Sequence, residues 1–322
     1  MELRSISLEE INFDDIRFRF TLDKPDEKLI FSIQRAGLIE PVLVKSDGQA
    51  FILVTGWKRV EASREAGLKE IPALVIPSES TDLDLFSLAF FESYPGKDFS
   101  LAEKALIIKK FIEFGLSPEE LIEEFLSRLE LPPERQTIDL LTQLASLDWA
   151  LPSIHRGRWK LSTARLFLSF FPEERRAIIS VGETLNHNQQ AELIELLFTL
   201  KKRQKVGLET ILAEEEIKPL VQEAARERQP RARLELLSAL RKRTFPLVTE
   251  INREMQTALR QINLSGNSRL DYDHSLEKSS LFISFEARTT EEIELLAEQL
   301  KQNVKEGKLD VLFGLLNKKI DK

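Results

Sequence analysis

The segment Val54-Thr55-Gly56-Trp57-Lys58-Arg59 carries the most chemistry per residue in this sequence. An apolar run, Ala50 to Val54, reads as a strand. Gly56 then permits a tight turn, and a helix begins with two cations in its first turn. The first amides of a helix have no intrahelical partner, and the dipole there favours an anion. Cations are unwelcome in that turn unless something negative is bound beside them. Thr55, Gly56, Lys58 and Arg59 therefore form a candidate phosphate site. The competing reading is that both cations simply face solvent. Trp57 either stacks on a base or packs the domain, and packing is the expectation.

The elements that must position this segment alternate between strand and helix signals over residues 1–80. Ser5 to Leu8 opens as a short strand or entry turn. Leu29, Ile33 and Ala36 stand at helical spacing, and Gly37 stops that helix. Pro41 to Val44 is a β-branched run, Ser46-Asp47-Gly48 a turn, and Ala50 to Val54 a second strand. The helix from Trp57 ends at Gly67. Ile71 to Ile76 is a last strand, with Pro72 marking it as an edge. This is a small α/β domain.

Residues 81–225 read as helical. Leu101, Ala105, Ile108 and Ile112 form one stripe ended by Gly115. Ser117-Pro118-Glu119-Glu120 is a capping box with proline in the first turn. The helix it starts carries Leu121, Phe125 and Leu129 on one face, and Leu131-Pro132-Pro133 breaks it. Residues 226–245 are a basic linker or helix, with seven Arg or Lys and two Glu between Arg226 and Arg243. In 246–322 a helix, two strands and an amphipathic helix capped by Thr289-Thr290-Glu291-Glu292 follow one another.

Bulk numbers narrow the function classes. The chain has 322 residues, enough for two or three domains. With no cysteine, disulfides, thiolate metal sites and cysteine nucleophiles are excluded together. His155, His187 and His274 lack ligand spacing, so no metal site is expected on them. No apolar run reaches the roughly 18 residues a membrane helix needs. The acidic start, Met1 to Asp15, does not read as a signal peptide. The expectation is a cytoplasmic protein. The net charge of −7 is unfavourable for a nucleic-acid binder, so any such role needs local basic patches.

Several stretches, in order, resemble the ParB/Spo0J family, whose N-terminal domain shares its fold with sulfiredoxin. Ile33 to Val44 resembles the family's first box. Gly56 to Ala62, continuing through Ala66-Gly67-Leu68 to Ala73, resembles its second. Phe91-Glu92-Ser93-Tyr94, followed by Asp98 to Ala105, is similar to its third. Gly157 to Ser162 resembles the segment after the family's helix-turn-helix, and the C-terminal helix-strand-strand-helix resembles its dimerisation domain. The resemblance implies an α/β ParB/sulfiredoxin-like domain, an all-α helix-turn-helix-type domain and a small α+β dimerisation domain. It also implies CTP or another nucleoside triphosphate with Mg2+, held by Thr55, Gly56, Lys58, Arg59 and Ser93. Implied partners are double-stranded DNA, a second copy of the chain and a partner ATPase. No membrane is implied, and the implied location is the nucleoid.

The boxes depart from the family pattern. Where the second reads Gly-Glu-Arg-Arg-x-Arg, this chain has Trp57, Lys58, Arg59 and Glu61. Where the third reads Glu-Asn-x-x-Arg, it keeps Glu92 but has Ser93 and Gly96. Lysine offers phosphate a point charge rather than a planar fork, and Glu61 is expected to lower the positive potential. For DNA, the resemblance places the reading helix from near Pro133, exposing Glu134, Arg135, Gln136 and Asp139, and the expected contacts are Arg135, Gln136, Thr137, Arg156, Arg158 and Lys160. The field there is acidic: residues 117–160 hold eight acidic and five basic side chains. The alternative classes are an enzyme of the same fold with Glu92 as its acid-base group, and an adaptor that has lost nucleotide control. No carboxylate cluster has two-metal nuclease spacing.

Overall fold

The computed structural model describes residues 1–226, 229–264 and 268–318. They form two compact units, Met1–Glu195 and Leu196–Lys322.

In the first unit, four strands make one sheet: β1 (Glu2–Ser7), β2 (Val42–Ser46), β3 (Phe51–Thr55) and β4 (Glu70–Ile76). Their order is β1-β4-β2-β3. β1 is antiparallel to β4, β4 is parallel to β2, and β2 is antiparallel to β3. The β-branched runs occupy the central positions, where Val42, Val44 and Leu53 are buried. Helix α1 (Glu27–Ala36) and helix α2 (Trp57–Glu65) complete this part. β4 is not an edge strand, contrary to the expectation from Pro72. Pairing with β2 begins only at Ala73, so nothing of β2 stands opposite the proline to want its missing N–H.

The sheet does not end the unit. Helix α3 (Asp82–Ser93) buries Leu85, Phe86, Ala89 and Phe90. Phe86 meets Phe20 at 5.6 Å and Phe111 at 4.8 Å, between ring centroids. Phe111 in turn meets Phe125 at 4.2 Å. Phe20 comes from before residue 80, and the rest from after it. The aromatic core therefore runs straight through that position and ties the segment before α1 to the helices after β4. Helix α4 (Leu101–Glu113) follows, then the short α5 (Pro118–Glu120), whose Ser117 and Glu120 cap each other reciprocally. The chain continues as a π-helical turn over Leu121–Leu126. Next come α6 (Arg135–Ala145), α7 (Leu151–Arg156), α8 (Leu161–Leu168) and α9 (Pro172–Gly182). Trp159 is core, its Nε1 donating to Gln190 Oε1 at 2.7 Å. Trp149 is not core: it is exposed, with the Arg176 guanidinium 5.0 Å above its ring.

Helix α10 (His187–Gln204) contains the division point. The second unit continues with α11 (Leu208–Leu212), α12 (Lys218–Ala224), α13 (Pro230–Thr244) and α14 (Pro246–Leu259). The basic stretch is thus largely a packed helix, burying Leu236, Leu237 and Leu240; Glu227 and Arg228 lie outside the described residues. A two-stranded sheet of β5 (Ser268–Tyr272) and β6 (Leu281–Phe285) precedes α15 (Thr290–Lys305) and α16 (Lys308–Leu316). Ile251 and Met255 of α14 pack with Tyr272 and with Leu312, Leu315 and Leu316 of α16.

Candidate functional site

Thr55 ends β3 buried, and Gly56 turns the chain into α2 at φ +95°. Only glycine fits there. A Cβ would stand 2.6 Å from Val42 Cγ1 and would also need a left-handed backbone. No side chain caps the helix that follows, and its first turn holds no acidic residue. The first amides are therefore left to whatever enters from outside. They open on a cleft of about 240 Å³ lined by Thr55, Gly56, Lys58, Arg59, Glu92 and Ser93, among others. Every residue expected to hold phosphate is brought together here.

The two cations differ. Lys58 forms no ion pair among the described residues. Arg59 is fully engaged: Nη1 donates to the Glu40 and Pro41 carbonyls at 3.3 and 3.2 Å and meets Glu40 Oε2 at 2.9 Å. Its Nη2 donates to Glu92 Oε1 at 2.8 Å. Arg59 thus braces the loop before β2 against α3. Glu92 is exposed and holds that arginine, with Ser93 Oγ donating to its other oxygen at 3.4 Å. Glu61 does not face the site as a bare charge: it pairs with Arg19 at 2.8 Å, and Arg19 lies over the Trp57 ring. Trp57 is buried, as expected of a packing residue, with no partner for its Nε1.

Sequence reasoning missed a second layer behind the cleft. Thr21 and Lys97 line it. Lys97 Nζ donates to Thr21 Oγ1 at 2.8 Å and Glu103 Oε1 at 2.6 Å, and stands 3.2 Å from Asp23 Oδ2. Asp23 Oδ1 lies 2.9 Å from His155 Nε2. His155 Nδ1 lies 2.7 Å from Ser100 Oγ. Burial works to raise the Asp23 carboxyl, and the pull of Lys97, His155 and Lys58 outweighs it, holding it below the ordinary carboxylate range. Asp23, Glu103 and His155 have the ligand types of a metal site, and their ligand atoms lie within 4.8 Å of one another. The Lys97 ammonium already stands between the two carboxylates. Spacing gave no signal for this cluster, because its members come from four separate segments.

The expected DNA contacts fall on two places. On α6, Arg135 is exposed, 3.6 Å from Glu119 and 3.7 Å from Asp139, and Gln136 is exposed beside it. Thr137 is buried, which removes it from the exposed face, and its Oγ1 has no hydrogen-bond partner among the described residues. At the α7–α8 junction, Arg156 meets Glu183 at 3.3 Å and Arg158 meets Asp98 at 3.5 Å, while Lys160 is exposed. These exposed pairs hold their cations weakly.

Residues 1–93 match the family model of the ParB N-terminal domain. The chain is 32% identical over 191 residues to the chromosome-partitioning protein Spo0J of Thermus thermophilus, covering 55% of this chain and 64% of that protein. It is 26% identical over 199 residues to a probable chromosome-partitioning protein ParB of Coxiella burnetii, covering 60% of this chain and 66% of that one. The chain thus spans just under two thirds of the length of these relatives. Among solved structures, it is similar to C-terminally truncated ParB from Caulobacter crescentus complexed with CTP-gamma-S, at 25% identity and a TM-score of 0.26, over 60% of this chain and 92% of that one. With its glycine-opened helix beside a mixed sheet, the N-terminal part matches the ParB N-terminal domain over residues 1–93, and the chain is similar to chromosome-partitioning ParB and Spo0J proteins.

Proposed function

We propose that this chain is a DNA-binding partition factor whose N-terminal cleft takes CTP, or another nucleoside triphosphate, with Mg2+, and whose nucleotide state modulates its hold on DNA. One observation carries the nucleotide half. The amides that open α2 are uncapped, Gly56 clears the approach to them, and Lys58 lines the same cleft with no salt bridge among the described residues. That combination suits a phosphate. Glu92 and Ser93 offer a carboxylate and a hydroxyl oxygen next to it, a donor pair that fits a Mg2+ retaining several waters. The bound ion would supply positive charge among the phosphates.

The DNA half places α5, the π-helical turn and α6 as a helix-turn-helix. Arg135 and Gln136 would read base edges, while Arg156, Arg158 and Lys160 would meet phosphates. Pairing of two copies is supported by the second unit. Phe282, Ile283 and Phe285 of β6, together with Ile293 and Val304 of α15, are apolar and exposed, and the other edge of β6 is unpaired among the described residues. A two-stranded sheet of this kind needs a cover, and a second copy gives a two-fold molecule suited to a palindromic site. Equilibrium dialysis of labelled CTP with Mg2+ tests the nucleotide half. Saturable binding lost in Lys58→Ala supports it. Binding that is absent for both CTP and ATP, or unchanged in Lys58→Ala, contradicts it.

A further inference from the structure

The wall of the cleft and the segment carrying Arg156, Arg158 and Lys160 are joined by a chain of hydrogen bonds and one ion pair. It runs from Thr21 and Lys97, through Asp23, to His155 in the last turn of α7. A lysine ammonium has three N–H donors, and the three contacts to Thr21, Glu103 and Asp23 account for all of them. Glu103 is 1% exposed and also accepts from the Leu22 and Ser100 amides, at 3.1 and 3.0 Å. Its buried charge depends on this set of donors.

Two features make the chain responsive to the cleft. First, the cleft of about 240 Å³ is below the roughly 300–1,000 Å³ common for small-molecule sites, so a nucleotide seated in it bears closely on its wall. Second, Thr21 is part of that wall and has room to yield. Thr21 also lines a separate groove of about 520 Å³, together with Leu22 and with Leu151 and Pro152 of α7. A phosphate competing for Lys97 would leave Glu103 buried with one donor fewer. Drawn toward the phosphate, Lys97 would also release Asp23 and so shift its contact with His155.

We propose that Lys97, Asp23 and His155 form a relay that couples occupancy of the phosphate cleft to the position of the α7–α8 junction, with His155 as a positioning residue. This deepens the nucleotide-modulated reading above and rests on it. His155 touches neither cleft nor DNA face, so its effect appears in the coupling between the two ligands rather than in either affinity alone.

The test is fluorescence anisotropy of labelled random-sequence duplex DNA, titrated with full-length protein with and without CTP and Mg2+. The ratio of the two affinities is the coupling factor. Binding linkage requires the same factor in CTP affinity measured with and without DNA. In His155→Ala and in Asp23→Ala the factor is expected to fall to within about twofold of one, and the double variant should lose nothing more. CTP affinity of His155→Ala without DNA should stay within about threefold of wild type, since a relay residue makes no contact with the nucleotide. His155→Gln, which cannot bridge Asp23 and Ser100 together, gives the same reading should alanine impair folding. A wild-type coupling factor that survives in these variants overturns the relay alone. Loss of CTP binding in His155→Ala also overturns it, by making His155 part of the site. A wild-type factor of one overturns the reading beneath it and the relay together.

Discussion

Gly56→Ala tests whether the turn into α2 is built around the absence of a side chain. The new Cβ would lie 2.6 Å from Val42 Cγ1, 3.1 Å from Val42 Cβ and 3.3 Å from Arg59 Nε. Val42 is fully buried in a central strand, so it cannot swing aside as a flexible side chain would. The left-handed backbone costs an alanine about 1–2 kcal/mol, and overpacking adds about 1–3 kcal/mol. The expected loss is roughly 2–5 kcal/mol, a large part of the ~5–15 kcal/mol that holds an ordinary domain together. Gly67→Ala separates the two contributions. Gly67 has φ +78° but nothing within 4 Å of its Cβ position, so it bears the backbone cost alone. All three tryptophans, Trp57, Trp149 and Trp159, belong to the first unit, so denaturant unfolding followed by tryptophan fluorescence reports on that unit. Gly56→Ala should be less stable than Gly67→Ala by about 1–3 kcal/mol. Equal losses, within about 0.5 kcal/mol, would refute the close approach to Val42.

Lys58→Ala should leave stability within about 0.5 kcal/mol, because the lysine holds no ion pair among the described residues. It should weaken phosphate binding about tenfold or more, from the loss of a charge-assisted hydrogen bond worth ~1.5–3 kcal/mol; inorganic phosphate competing with labelled CTP measures this. Thr137→Val removes a buried hydroxyl with no partner, so it should be neutral or stabilising by up to about 1 kcal/mol; a loss beyond that in the same unfolding assay means the hydroxyl is bonded. Asp23 and Asp82 are both held below their ordinary range. At each, burial raises the carboxyl, but Lys97 outweighs it for Asp23, and Lys45 and Arg17 for Asp82. A depressed carboxylate stabilises the fold above its unfolded value of about 3.9. That contribution is lost as pH falls through the lower folded value. Unfolding midpoints should therefore drop in acid below about pH 4, and Lys45→Met should flatten that drop.

What the sequence made legible was local. Gly37 and Gly67 stop helices, and Ser117 with Glu120 closes a box, because each acts on backbone within a few residues. The phosphate turn was legible for the same reason, since strand end, glycine and helix start are contiguous. Partners were not. Glu61 read as a charge spoiling the site because Arg19, which neutralises it, comes from a distant loop. Arg59 read as a free cation because Glu40 and Glu92 reach it from two other elements. The Lys97 network escaped wholly, since no spacing relates residues 21, 23, 97, 103 and 155. The burial of Thr137 was readable: it stands four residues before Leu141 and seven before Leu144, on the buried stripe of α6. The resemblance to a DNA-reading helix drew attention to its N-terminal position instead. Pro72 misled because proline excludes a strand only where a neighbour needs its N–H, and β2 begins one residue later.

The central claim is that one molecule joins a phosphate cleft to DNA binding. Its most direct test is the affinity for duplex DNA across a salt series, measured for wild type and Lys58→Ala with and without CTP and Mg2+. The account predicts salt-sensitive binding, because Arg156, Arg158 and Lys160 would release counter-ions from the phosphates. It further predicts that CTP changes that binding in wild type and leaves Lys58→Ala unaffected. Binding absent at low salt, or indifferent to nucleotide in wild type, would contradict it.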